Sequence, residues 1–159
     1  MLPEYTYVFT DSGWVPIDAI QVGTSVFTYD ISTGQMGWGL IVSVEVVTHV
    51  QPSPSLRAAN AIRLPDTTWI DIDAGAFATI VASPRTPIVV MRQGEHRIVQ
   101  LKDALSTDLW MNMPRSYVRV SSTELADSEL ISNYGYVLRS NLKTMLIKQH
   151  GTAAIVGTR

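Results

Sequence analysis

Apolar residues fall in short runs separated by turn-forming residues at intervals of roughly eight to twelve positions, the spacing of an all-β domain. Tyr7–Thr10, Trp14–Ile17 and Ser25–Tyr29 read as strands. The turn Asp11-Ser12-Gly13 and the connector Asp18–Gly23 link them. Ile31–Gln35 predicts a hairpin turn with Gly34 free to take a positive φ, followed by a long extended segment over Met36–Val50. Within it Val42, Val44 and Val46 alternate with Ser43, Glu45 and Val47, a period of two with one face buried. Gly37 and Gly39 beside Trp38 predict a bulge or bend at the start of that strand.

The two prolines of Gln51–Ser55 make the clearest loop, and Ala58–Leu64 with Thr67–Ile72 predicts a hairpin around Pro65-Asp66. Further strands are expected at Phe77–Ser83, Pro87–Met91, His96–Val99, Asp108–Met113, Tyr117–Val120, Tyr136–Arg139, Leu142–Lys148 and Ala153–Val156, with a helical turn at Gln100–Leu105. Ser122 or Thr123 followed by Glu124, Asp127 and Glu129 predicts the one short helix, ended by Asn133–Gly135. The expected fold class is therefore all-β, of many short strands with one short helix. Residues 1–159 make a single domain, since no repeat or composition shift divides the chain.

Composition narrows the function. Apolar residues are 46% of the chain and charged ones only 16%, a low share for a soluble protein. Either a Thr- and Ser-rich β surface or a face covered by a partner accounts for it. A net charge of −2 gives no footprint for nucleic acid or an acidic membrane. With no cysteine there are no disulfides, thiolate metal sites or thiol nucleophiles. No apolar run spans a bilayer, and the N-terminus lacks the features of a signal peptide. The expectation is a cytoplasmic protein, or one assembled into a larger particle from an intracellular pool.

Candidate chemistry is sparse. His49, His96 and His150 have no second ligand at metal spacing. Asp71 and Asp73 share one strand face with Asp66 in reach, but charges at a strand edge ordinarily discourage edge pairing. Trp14, Trp38, Trp69 and Trp110 fit core packing better than a ligand platform. Arg85, Arg92, Arg97 and Arg115 are too few for nucleic acid. No phosphate loop or nucleophile elbow occurs, so no metal, cofactor or small-molecule substrate is expected.

The opening stretch, with Thr10, Gly13, Trp14, Ile17, Ile20, Val22, Gly23, Val26, Tyr29 and Asp30 in place, resembles the start of the Hint (Hedgehog/intein) modules, although Thr24 stands where an Asp is usual. The likeness continues at Ile80–Val90, where the family has T-x-x-H-P. It extends through Gly94–Val99, Leu101, Ala104-Leu105 and Asp108, and loosely to the tail His150–Arg159. The resemblance implies a pseudo-symmetric Hint-like fold and self-cutting chemistry. That chemistry needs a Cys or Ser at the first residue, a Thr and a His to polarise the peptide and protonate the leaving amine, and a terminal His-Asn.

At those places stand Met1, Ser83, Thr86, Thr158 and Arg159, of which only Ser83 keeps the family's kind of group. The resemblance thus implies vestigial positions and no catalytic residue. The function expected is a non-catalytic structural or interaction subunit of a larger assembly. Its low charge and the spread of such modules among mobile elements suggest a phage virion, with other protein subunits as partners. The alternative is an intein-like autoprocessing domain inactivated by substitution of its reactive residues.

Overall fold

A computed structural model describes residues 1–48, 66, 68–75, 78–120, 124–125 and 132–158. Fifteen strands occur among them: β1 (Leu2–Pro3), β2 (Tyr7–Thr10), β3 (Gly13–Pro16), β4 (Ser25–Asp30), β5 (Gln35–Thr48), β6 (Ile70–Gly75), β7 (Ala78–Ala82), β8 (Pro87–Arg92), β9 (Glu95–Gln100), β10 (Leu109–Met113), β11 (Ser116–Arg119), β12 (Glu124–Leu125), β13 (Tyr134–Ser140), β14 (Thr144–Gln149) and β15 (Thr152–Gly157). They form an eight-stranded sheet in the order β1-β13-β5-β4-β2-β14-β15 with β3 on β2. A four-stranded sheet β11-β10-β8-β9 and a three-stranded sheet β12-β6-β7 complete the set. The pairings are all antiparallel.

Tight turns set the registers. Gln93 and Gly94 both take positive φ between β8 and β9, as do His150 and Gly151 between β14 and β15. Both are two-residue hairpins whose mirror-image turn matches strand twist. The expected turn at Gly34 is present, with Asp30 Oδ1 accepting the backbone N–H and hydroxyl of Ser32. The expected helical turn is a 3-10 turn at Leu101–Asp103.

Several expectations need correction. Where a helix is predicted from Ser122, Glu124 and Leu125 pair with Asp71 and Ile70 of β6. The open edge of β6 supplies backbone partners that local capping residues cannot signal. No α-helix occurs among the described residues, and 121–123 and 126–131 lie outside them. The loop Gln51–Ser55, the hairpin arm Ala58–Leu64 and His49 also lie outside.

No bulge occurs at Gly37 and Gly39, which sit in an unbroken ladder with β4. At Gly39 a Cβ would lie 2.8 Å from Asn141 Oδ1, which accepts the Leu40 N–H; close approach is the reason for that glycine. The irregularity falls instead at Arg139/Ser140 opposite Ser43 and Ile41. Ile41 is buried, and Val42 and Val46 are the wetter positions of β5.

The main core gathers Val8, Val26, Ile41, Ile80, Ile88, Trp110 and Ile147 from all three sheets, with Ile17 from the 3-10 turn that follows β3. Trp69 and Trp110 are buried as expected, their indole N–H groups donating to Ser132 O and Ile155 O. Trp38 is not core. It lies 52% exposed against Phe9 and Phe27 on the outer face of β4 and β5.

Candidate functional site

Between β7 and β8 the chain turns tightly at Ser83–Thr86, closed by Thr86 N–H donating to Ser83 O. The 3-10 turn behind it holds the loop in place: Leu101 N–H donates to Thr86 O and Lys102 N–H to Pro84 O. With that backing, the side chains of Ser83 and Thr86 face inward and are almost fully buried.

They meet the first residue. Met1 N donates to Ser83 Oγ at 2.6 Å and Thr86 Oγ1 at 3.0 Å. The Met1 carbonyl accepts from Ser83 N–H at 3.0 Å and from the Thr86 hydroxyl at 2.9 Å. The two hydroxyl oxygens lie 3.2 Å apart. Both backbone polar groups of residue 1 are therefore gripped by one turn. The Met1 thioether packs with Trp69 and Val81, beside Tyr5, Val47 and Val137.

The C-terminal strand comes to the same place. Gly157 passes so close to Pro87 that a Cβ on it would lie 2.7 Å from Pro87 Cβ. Thr158 is buried: its N–H donates to Lys143 O, and its Oγ1 accepts the Ser140 N–H. A cleft of about 200 Å³ is lined by Met1, Thr86, Pro87 and Gly157, with Glu45, Asp66, Arg85 and Arg139 also around it. Of the five positions singled out from sequence, Met1, Ser83 and Thr86 touch, and Thr158 follows the Gly157 that shares their cleft. Arg159 lies outside the described residues.

The groups present decide what the site can do. Ser83 and Thr86 offer hydroxyls that stay neutral near pH 7, so they can donate and accept hydrogen bonds but shuttle no proton. Neither described histidine lines the cleft. His96 hydrogen-bonds Tyr117 OH at 2.9 Å, and His150 makes the β14–β15 turn and packs 4.8 Å from the Tyr5 ring. Burial, with the Asp71 charge adding to it, pushes the Tyr5 phenol above its ordinary range. Asp73 Oδ1 accepts the Gly75 N–H, and among the described residues no three acidic or histidine side chains gather as a metal site.

No family model matches this sequence, and no curated protein matches it. Solved structures do. A splice-inactive variant of the AceL NrdHF class 3 split intein superposes with a TM-score of 0.70 at 15% identity, covering 100% of this chain and 97% of its own. A bacterial intein-like domain from Clostridium thermocellum gives 0.68 at 13%, with 99% and 97% covered. An Ssp DnaB mini-intein variant gives 0.68 at 9%, with 99% and 90% covered.

The chain has an intein-like Hint fold. The resemblance read from Thr10 to Asp30 and around Ser83 is thus a resemblance of fold, extending over the whole length compared.

Within the intein-like fold, sequence reasoning missed Gln149 and the pairing of Arg92 with Asp108. Gln149 Nε2 donates to Val81 O and Thr6 Oγ1, while its Oε1 accepts the Val81 N–H, so one amide side chain completes the edge of β7. Its place just before the His150-Gly151 turn is the only signal for it. Arg92 makes a two-pronged pair with Asp108 at 2.8 and 2.6 Å. Asp108 also accepts the Leu105 N–H, and this guanidinium holds its carboxyl below the usual range. This pair sits at the end of β8 away from the Thr86 turn.

Proposed function

We propose that the chain is an intein-like domain whose junction site is assembled but chemically silent. The observation that carries this is the grip on residue 1: its N–H and carbonyl are held by Ser83 and Thr86 where Hint chemistry acts on a peptide, while its side chain is a thioether. A thioether has no proton to lose and cannot open an ester intermediate. A hydroxyl at 86 leaves the departing amine without an acid. Thr158 in place of a histidine removes the same kind of help at the other end. The shape of the site serves to hold the chain rather than to cut it.

This reading is preferred to that of an assembly subunit because the solved structures that superpose over nearly the whole chain are inteins and an intein-like domain. The low charge supports a covered surface no better than it supports a Thr- and Ser-rich one.

The test places a folded reporter upstream of residue 1 and follows intact mass. The unaltered chain is expected to stay joined. Met1→Cys with Thr86→His is expected to release the reporter, faster with added thiol. Release from the unaltered chain overturns the silence of the site. No release from the double variant, shown folded by circular dichroism, overturns the intein-like reading of the site.

A further inference from the structure

Gly135 lies in β13, opposite Pro3 of β1 and Val47 of β5, with no positive φ to call for glycine. Glycine in a strand interior is a cost unless a neighbour needs the space. The three atoms nearest to where its Cβ would stand all belong to Met1: Cβ at 3.0 Å, Cε at 3.1 Å, and Sδ closer still. Met1 itself is only 7% exposed, closed in by Trp69 and Val81.

We propose that Gly135 determines which side chain position 1 accepts: with no Cβ there, β13 leaves a slot that a long, unbranched apolar residue fills. Methionine suits it because three rotatable bonds let the thioether follow an irregular gap. The inference rests on the silent-junction reading and deepens it. A small nucleophile at position 1 would not clash; it would leave a void against Gly135, Trp69 and Val81. The loss of the nucleophile is then built into the packing around residue 1 rather than confined to one substitution, and Gly135 and Met1 form a matched pair.

The experiment is a four-member stability cycle on the full chain. Each protein is released from a removable leader so that residue 1 can be varied: Met1 or Met1→Ser, with Gly135 or Gly135→Ala. Gly135→Ala beside Met1 is expected to lower the thermal midpoint by about 5 °C, the range of an overpacked core position. In the Met1→Ser background the same change is expected to be neutral or to raise the midpoint, because the methyl group then fills space. That reversal of sign is the signature of the pair. Equal losses in both backgrounds would overturn the proposal, since Gly135 would then serve the backbone. No loss in either would overturn it too, since the slot would not discriminate. The cycle reads no cleavage, so its failure leaves the reporter-release test standing, and the reverse.

Discussion

Two buried polar clusters flank β8 and share almost nothing. At its start, Ser83 and Thr86 surround the backbone of Met1 with neutral hydroxyls. At its end, Arg92 locks onto Asp108 with a full pair of opposite charges, the carboxylate completely shielded from water. At the brace Asp108 is held below its ordinary range by the guanidinium's hydrogen bonds, against a burial effect of opposite sign, while beside Met1 burial pushes the Tyr5 phenol up, further from neutrality. In an active acid–base site the perturbed group is expected beside the reacting bond. Here the charged pair ties the loop before β10 to the end of β8, and the side chains that touch the Met1 backbone are hydroxyls, which stay neutral near pH 7. The contrast argues that the strong electrostatics of this fold serve architecture.

Removing the brace should have the largest effect. Asp108→Ala breaks two charge-assisted bonds and uncaps Leu105 N–H, and is expected to cost about 3 kcal/mol in urea unfolding. Because the folded carboxyl titrates below the unfolded one, its contribution is complete above the unfolded pKa near 4. It is lost as pH falls through that value toward the lower folded pKa. Asp108→Asn should therefore flatten the acid limb of the stability profile below about pH 4. A profile as steep as that of the unaltered chain would remove the brace from the account.

Next comes Gln149, the link between the sheet of β14 and the edge of β7. Gln149→Leu keeps the volume but strands Val81 N–H and O together with Thr6, at an expected cost of about 2 kcal/mol. Hydrogen exchange should show the loss at Val81. Unchanged protection there would mean that β7 does not depend on the amide.

What could be read from the chain follows from how local each cause is. The hairpin turn at Gly34 needs only the residues that form it, and it stands where expected. Ser83 and Thr86 were legible through the spacing of a motif. The helix expected from Ser122 failed because its capping pattern is local, whereas the partner of Glu124 and Leu125 is β6, more than fifty residues away. Gly39 was read as a bulge because a glycine does not say what approaches it, and the answer is Asn141. Gly135 gives still less, since its reason is the first residue of the chain. Arg92 and Asp108 are separated by 16 positions with no periodic relation, so neither predicts the other.

The smallest expected effect sharpens the comparison most. Thr86→Val keeps the shape of the side chain and removes the hydroxyl that donates to Met1 O and accepts from Met1 N, at an expected cost of about 1 kcal/mol. Thr86→Ser keeps the hydroxyl and should recover most of it. Recovery by Ser is what separates the hydroxyl from the packing of the γ-methyl group. A Thr86→Ser chain that stays as weak as the Val one would mean that the methyl contact, not the hydrogen bonds, holds residue 1. The junction would then have to be treated as a packing site rather than a hydrogen-bonded one.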